Sequence, residues 1–210
     1  MGVADVLGAL NEAIRNCTRC RLAESRINAL CGEGRPDANL MLIAQAPGRV
    51  EDKEGSMFIG PSGKVLDELL QLAHIDRKEV YMTNLVKCML PKYRRPKSDE
   101  IAICSRYLKR EIALVHPTVM ASLGFFATRY LFEKYELALP PKPEFRGVYG
   151  KIVKVGDNII LPLQHPAAVL YNDAIKDVMV QNYLVLGEIF TELMKNRTRS
   201  RRLTTAPGSG

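Results

Sequence analysis

The spacing of apolar residues alternates along the chain between the period of a helix and the period of a strand. Segments with apolar side chains three or four positions apart are separated by short apolar runs that end near Gly, Pro or Asp. This alternation favours an α/β fold, in which a parallel sheet is flanked by helices. The predicted strands are 40–44, 80–86, 117–122, 152–155 and 158–163, and the predicted helices are 4–16, 63–72, 98–115, 125–135 and 174–195.

The loops at the carboxyl ends of parallel strands form the binding site of such a fold. Three loops fit this position, at residues 44–63, 84–98 and 163–173. The sequence contains no internal repeat and no central linker. We therefore expect one domain over residues 1–196, followed by a basic, flexible C-terminal tail over residues 197–210.

The charge of the chain is positive, with 30 Lys and Arg against 23 Asp and Glu, a formal net charge of +7. Basic residues concentrate at 92–97 and 195–202. Such clusters suit a polyanion such as DNA, although a solvated face and a disordered tail would explain them equally well. No apolar run is long enough to cross a membrane, and residues 1–10 lack a signal-peptide pattern, so we expect an intracellular, cytoplasmic protein.

Five cysteines offer a metal-binding set with one to spare. Cys17 and Cys20 form a chelating CxxC pair, while Cys88 and Cys104 flank a basic, turn-rich segment that could bring them together. Four thiolates could then hold a metal centre, although Cys88 and Cys104 could also be ordinary buried residues. Thiol count does not separate zinc from a [4Fe–4S] cluster, but the absence of a second close CxxC pair favours the cluster. We expect Cys31 in the core.

Four motifs occur in order along the chain. Residues 44–52 read AQAPGRVED and residues 55–63 read GSMFIGPSG. This stretch resembles the family-4 uracil-DNA glycosylases, whose pattern is GEAPGxxED followed by GxPFVGxAG. Residues 83–88 read TNLVKC, similar to the family's TNxVKC, and residues 164–170 read QHPAAVL, similar to its HPxxxL. The match extends roughly from residue 17 to residue 190, and the combination of motifs and cysteines is specific.

The resemblance implies a single domain built on a four-stranded parallel sheet flanked by helices. It implies an enzyme that flips uracil out of DNA and hydrolyses its N-glycosidic bond, which leaves an abasic site. It also implies a structural [4Fe–4S] cluster with Cys17, Cys20, Cys88 and Cys104 as ligands. The expected partner is uracil-containing DNA, single- or double-stranded, and the expected state is a monomer without a membrane partner.

Base excision requires the base outside the stack and charge stabilisation on the departing uracil. The Asn84 amide matches the donor and acceptor edge of uracil and mismatches the amino group of cytosine. Phe58 offers a face for stacking, and His165 can donate a hydrogen bond to uracil O2 as negative charge develops there. On their own these would be a strand-end Asn, a core Phe and a structural His. The neighbouring motifs favour the catalytic interpretation.

Small and basic residues in the motifs are candidates for contacts to substrate and phosphates. Ala46 and Gly48 would allow the backbone to approach the base closely. Ser62 lies at a predicted helix start, where a phosphate can bind. Leu170 could fill the gap left by the flipped nucleotide, although simple packing would explain it as well. The predicted DNA-contact residues are Ser62, Lys64, Lys87, Arg94, Arg95, Ala167 and Leu170.

Gln45 departs from the family pattern, which has Glu at this position. Glu can orient and deprotonate the attacking water, whereas Gln cannot act as a base near neutral pH. Gln45 could still orient the water, which we favour. Alternatively, activity is weakened or redirected to another deaminated base, or Gln45 is an engineered inactivating change. Glu51 and Asp52 are close enough in sequence to substitute electrostatically.

Two further classes of function stay open. A lesion-binding protein of the same superfamily would bind uracil-DNA without releasing the base. An electron-transfer protein would use the cysteines, but it would need neither a basic surface nor the His-Pro loop. A related group attaches covalently to DNA through a histidine in a KRRIH motif. Here Arg94 and Arg95 are followed by Pro96 and Lys97 with no histidine, so we expect a monofunctional enzyme.

Overall fold

The computed structural model describes residues 2–141 and 143–204, with side chains described up to residue 195. The strands are β1 (Glu33–Gly34), β2 (Leu40–Ala44), β3 (Val80–Asn84), β4 (Val119–Leu123), β5 (Val153–Val155) and β6 (Asn158–Leu163). The α-helices are α1 (Val3–Arg15), α2 (Arg49–Glu54), α3 (Pro61–Leu72), α4 (Ser98–Val115), α5 (Phe125–Lys134) and α6 (Lys176–Thr204).

The strands form one sheet in the order β1-β3-β2-β4-β6-β5. The inner strands β3, β2, β4 and β6 are parallel, while β1 and β5 pair antiparallel at the two edges. The expected α/β sheet flanked by helices is confirmed, but the sheet has six strands of mixed direction rather than four parallel ones. The two-residue strand β1 is too short to show a period in the sequence, and β5 joins through the predicted hairpin with β6.

Strand β2 is buried on both faces, which explains its continuous apolar sequence. Met41 and Ile43 pack into a cluster with α1, α4 and α5, whereas Leu40 and Leu42 pack into a second cluster with α3 and α6. Helices therefore cover both faces, and the chain exposes its loops at the ends of the strands. Within the described residues, no helix combines the length and hydrophobicity needed to cross a bilayer.

Predicted and observed boundaries agree closely for most elements, and three helices are informative. Helix α2 was not predicted, because its sequence RVEDKE contains one large apolar residue and shows no period. Helix α4 begins at Ser98 as expected, and Glu100 in its first turn accepts the backbone N–H of Lys97 at 2.8 Å. Helix α6 continues past residue 197 to Thr204, and residues 205–210 of the predicted tail lie outside the described part.

Candidate active site

The register of the parallel strands brings the three predicted loops to one edge of the sheet. Ala44 at the end of β2 is paired with Asn84 at the end of β3, and Leu123 of β4 is paired with Leu163 of β6. A cavity of about 680 Å³ opens at this edge. All three loops contribute to its wall, including the sequence-predicted residues Gln45, Ala46, Gly48, Phe58, Ser62, Asn84, Arg94, His165, Ala167 and Leu170.

Phe58 is buried, with a left-handed backbone at a φ of 52°. Non-glycine residues rarely adopt this conformation, and it persists only where neighbouring structure enforces it. A Cβ at Gly63 would lie 1.9 Å from the Phe58 carbonyl oxygen, so only glycine allows the start of α3 to press on this turn. Arg77 donates to the same carbonyl at 3.2 Å. The position of the Phe58 ring is therefore set by its backbone before any ligand binds.

His165 lies just after β6 and begins a short 3₁₀ helix, Pro166–Leu170. Its Nδ1 accepts the backbone N–H of Ala167 at 3.1 Å, so the neutral ring carries its proton on Nε2. Burial lowers the pKa of His165 to about 4. Its ring centroid is 6.4 Å from that of Phe58, with an angle of 32° between the planes. His165 is thus a neutral donor beside the aromatic face.

Asn84 is the last residue of β3 and is 3% exposed. Its amide nitrogen donates to the sulfur of Met57 at 3.2 Å. A thioether is a weak acceptor, so little is lost when this bond is exchanged for one to a ligand. The buried Asn84 amide therefore offers a hydrogen-bonding edge at the floor of the cavity.

Gln45 follows β2, and its carbonyl accepts the backbone N–H of Val86 at 2.9 Å. Parallel pairing thus continues one step beyond the strands and fixes the backbone of Gln45. Its half-buried side chain lines the cavity. An amide at this point can orient a water molecule but cannot take its proton.

Glu51 supplies a buried carboxylate to the same wall. It is 5% exposed and accepts the backbone N–H of Gly60 at 2.8 Å. A Cβ at Gly48 would lie 2.4 Å from Glu51 Oε2, so glycine is required for this close approach. Asp52 has a different role, because its carboxylate accepts the backbone N–H groups of Ile27 and Asn28. Of the two acids predicted as electrostatic substitutes for a catalytic Glu, only Glu51 lines the cavity.

The predicted DNA contact of Lys87 is wrong. Lys87 is 1% exposed, and its Nζ donates to Thr83 Oγ1 and Glu111 Oε2, each at 2.5 Å. Glu111 also accepts the backbone N–H of Gly32 at 3.1 Å. The lysine therefore neutralises a buried carboxylate of α4 beneath the sheet, where phosphates cannot reach. Its partner is 24 residues further along the chain, which no local pattern could reveal.

Arg94 also forms an ion pair within the protein. It donates through both guanidinium nitrogens to the buried Glu100 carboxylate, at 2.8 and 2.5 Å. Arg94 still lines the cavity, but its charge is largely matched by Glu100. Lys64 and Arg95 are exposed and lie outside the cavity lining. Leu170 is 49% exposed at the cavity wall, as a residue that inserts into DNA must be.

The cysteines of the predicted set meet on one face of the sheet. Cys88 and Cys104 are buried, and the half-buried Cys17 and Cys20 pack against the same hydrophobic cluster. Burial raises the pKa of Cys104 to about 12, and burial also raises the pKa of the Cys88 thiol against the opposing effect of the Arg26 guanidinium. Cys31 is only half-buried and donates to the carbonyl of Asn11 at 3.3 Å.

Hydrogen-bond donors point at two of these sulfurs. Arg26 Nη1 donates to Cys88 Sγ at 3.3 Å, and the backbone N–H of Lys87 donates to Cys104 Sγ at 3.2 Å. Such donors stabilise thiolates. Among the described residues, no group of three or more His, Cys, Asp and Glu side chains is arranged to hold a single metal ion.

The sequence interpretation missed two aromatic residues of the cavity wall. Tyr93 and Tyr171 both line the cavity and are 75% and 89% exposed. Neither belongs to a motif quoted above, and an isolated tyrosine in a loop carries no local signal of its role.

Comparison with known protein families assigns most of the chain to one class. The family model described as the uracil DNA glycosylase superfamily matches residues 31–185, which include β1 to β6 and the three loops. The name of this superfamily describes glycosylases that act on uracil in DNA.

Curated relatives narrow the assignment. The chain is 38% identical to a type-4 uracil-DNA glycosylase of Saccharolobus solfataricus, covering 88% of this chain and 86% of that protein. It is 36% identical to the type-4 enzyme of Sulfurisphaera tokodaii, covering 88% and 85%. It is 32% identical to that of Archaeoglobus fulgidus, covering 84% and 89%. The chain belongs to the type-4 family of uracil-DNA glycosylases, as the motifs indicated.

Proposed function

We propose that this chain excises uracil from DNA by hydrolysing its N-glycosidic bond and leaves an abasic site. The observation that carries the proposal is the convergence of Asn84, Phe58 and His165 on one cavity, although they are far apart in sequence. The cavity volume of about 680 Å³ is in the range of ligand-binding pockets and leaves space for sugar and phosphate beside the base.

Recognition of uracil follows from the Asn84 amide and the Phe58 ring. The amide oxygen accepts from uracil N3–H and the amide nitrogen donates to O4, in place of its bond to Met57. Cytosine presents an acceptor at N3 and an amino group at C4, which would face the amide with like partners. A buried polar group left unpaired discriminates strongly between such bases.

The bond that breaks joins uracil N1 to the sugar C1′. Its electron pair leaves with uracil, and the resulting negative charge spreads to O2, where the Nε2–H of His165 donates a hydrogen bond. The sugar becomes positively charged, and the negative Glu51 carboxylate in the wall favours that charge. Water held by the Gln45 amide oxygen then bonds to C1′ and releases its proton to solvent. Because the sugar cation accepts water readily, no strong base is required.

The alternative of a lesion binder without catalysis rests on Gln45 alone. The curated relatives are named as glycosylases and do not favour it. A second feature supports a monofunctional enzyme: no lysine occurs among the described residues that line the cavity. A covalent imine between enzyme and sugar therefore has no obvious nucleophile.

The donor set of Cys17, Cys20, Cys88 and Cys104 supports a [4Fe–4S] cluster rather than zinc, because it lacks the second close CxxC pair that is typical of zinc sites. The four thiols pack against one hydrophobic cluster, and two of them receive N–H donors that stabilise thiolates. When bound, the cluster would cross-link the segment after α1, the loop after β3 and helix α4. Purified protein should contain about four iron atoms per chain, whereas stoichiometric zinc would contradict this assignment.

The decisive experiment uses a single-stranded oligonucleotide with one uracil and matched oligonucleotides with cytosine or thymine at that site. We expect alkali-labile strands and free uracil from the first substrate only. Tight binding of the uracil strand without release of uracil would instead establish the lesion-binding alternative.

A further inference from the structure

Two tyrosines that line the cavity have largely exposed side chains. Tyr93 is 75% exposed and Tyr171 is 89% exposed, and they are the only aromatic residues among the exposed large apolar side chains of the described part. Leu170, at 49% exposed, lies beside Tyr171 on the same wall. A cluster of exposed apolar side chains beside a binding site marks a surface that contacts a ligand.

The two tyrosines come from loops that follow different strands. Tyr93 follows β3 and Tyr171 follows β6, the outer two of the four parallel strands. With β2 and β4 between them, the strands that carry these loops are separated by roughly 14 Å. Both tyrosines line the same cavity as the Asn84 amide.

The loop that carries Tyr93 is held in an unusual conformation. Lys92 and Tyr93 both have a φ of 53°, two consecutive left-handed residues that are not glycine. Such backbone persists only where the surroundings enforce it, and it concentrates at functional sites. Here the next residue, Arg94, is clamped by the buried Glu100. Tyr93 is therefore displayed toward solvent by a fixed loop.

Exposed positive charge lies in the cavity wall and beside Tyr93 in the sequence. Arg49 lines the cavity and is exposed, and Lys92 and Arg95 are exposed on either side of the Tyr93–Arg94 pair. Exposed aromatic rings interspersed with cations are the combination that binds single-stranded nucleic acid, since bases stack on the rings and phosphates meet the cations.

We propose that Tyr93 and Tyr171 stack on the bases that flank the flipped uracil and that the favoured substrate is single-stranded DNA. This inference rests on the proposed glycosylase function and specifies its substrate. In a duplex the flanking bases stay paired and stacked on their outer sides, so only the two faces that border the gap are uncovered, and Leu170 is placed to fill that gap. In a single strand, each flanking base can turn onto one ring.

The test measures Kd for a single strand that carries a non-cleavable 2′-fluoro-deoxyuridine. We expect Tyr93→Ala and Tyr171→Ala each to weaken binding at least about fivefold, as loss of one stacked base does. Tyr93→Phe and Tyr171→Phe should bind like the unmodified protein. Leu72→Ala, which changes an exposed apolar residue outside the cavity lining, is the matched control.

A second arm removes the flanking bases from the DNA instead of the rings from the protein. Abasic spacers on both sides of the uracil should weaken binding by the unmodified protein, and each Tyr→Ala variant should then lose less than it does with intact flanks. If a Tyr→Ala substitution weakens binding by the same factor with abasic spacers as with intact flanking bases, the stacking role is overturned. Equal losses for each Tyr→Ala variant on duplex and single-stranded DNA would overturn the strand preference.

The outcomes separate this inference from the proposed function. Uracil release by the unmodified protein, together with unchanged Kd in both Tyr→Ala variants, would overturn the inference and leave the function intact. Absence of uracil release from every substrate would overturn the function, while the Kd series would still show whether the tyrosines bind flanking bases. Unchanged thermal unfolding of both variants, expected for exposed side chains, shows that they are folded.

Discussion

The floor and the rim of the cavity are built on different principles. The floor residues Asn84, Phe58 and His165 are buried or half-buried, and strand ends, a glycine contact and backbone hydrogen bonds hold them in place. The rim residues Tyr93 and Tyr171 are almost fully exposed. A preorganised floor favours stabilisation of the transition state, whereas an exposed rim favours capture of a flexible strand. Changes in the floor should therefore reduce the chemical rate, and changes in the rim should reduce affinity.

The largest effect is expected for Asn84→Ala. Loss of the amide removes the hydrogen bonds that orient uracil and that strengthen as charge develops. We expect single-turnover excision to fall about 10³-fold while the Kd for uracil-DNA changes little. A variant that binds weakly but excises at the normal rate would show that Asn84 belongs to binding and would break the division between floor and rim.

His165→Ala should have the next largest effect. It removes the neutral Nε2–H donor at uracil O2 and should slow the single-turnover rate about 10²-fold. His165→Gln keeps a donor on a side chain of different shape, and part of the rate should return. Equal rates in the unmodified protein and both variants would assign His165 to packing alone.

Gln45→Glu tests the cavity residue that departs from the family pattern. A carboxylate at this position can accept a proton from water, so we expect excision to become about tenfold faster. The variant should also acquire an acidic limb in its pH–rate profile, because its carboxylate must be ionised. A slower Gln45→Glu enzyme would mean that this cavity requires a neutral amide.

Arg95 and Lys87 were both predicted to contact DNA, but Arg95 is exposed and Lys87 is buried, so substitutions at the two positions can be compared directly. Arg95→Ala should reduce the slope of log Kd against log salt by about 1, because an exposed cation that meets one phosphate is lost. Lys87→Met should leave this slope unchanged and lower the free energy of unfolding by about 3 kcal/mol, since Glu111 stays buried without its partner. A reduced salt slope for Lys87→Met would contradict its internal position.

The smallest effect concerns pH. Because Gln45 does not titrate and the pKa of His165 is lowered to about 4, kcat should be nearly constant between about pH 5.5 and 8. Stability should behave differently. The unfolded histidine has a pKa of 6.5 and the folded one about 4, so protonation favours unfolding as pH falls between these values. This acid destabilisation should be smaller in His165→Gln, as denaturant titrations at a series of pH values would show.

Much of the fold could be predicted because strand β2 and helices α1, α3 and α4 show strong apolar patterns. Strand β1 has two residues and helix α2 is polar, so neither produces a period, and both depend on tertiary contacts. The four-strand expectation came from the family resemblance; it lacked β1, which has no period, and it lacked β5, which the predicted hairpin had already indicated.

Site residues could be predicted from the sequence where they belong to a recognisable motif. Asn84 and His165 follow strands, and the parallel register necessarily brings strand ends together. The role of Lys87 was not predictable, because its burial depends on Glu111 in a different element. Tyr93 was missed since its importance lies in exposure and backbone conformation, which the sequence does not encode locally.

The position of the extruded base decides whether Asn84, Phe58 and His165 have the roles proposed for them. A crystal structure with a single-stranded oligonucleotide that contains non-cleavable 2′-fluoro-deoxyuridine would locate it directly. We predict the uracil ring against Phe58, its N3–O4 edge on the Asn84 amide and its O2 within hydrogen-bond distance of His165 Nε2. A base outside the cavity, or inside it with Asn84 still bonded to Met57, would contradict the account.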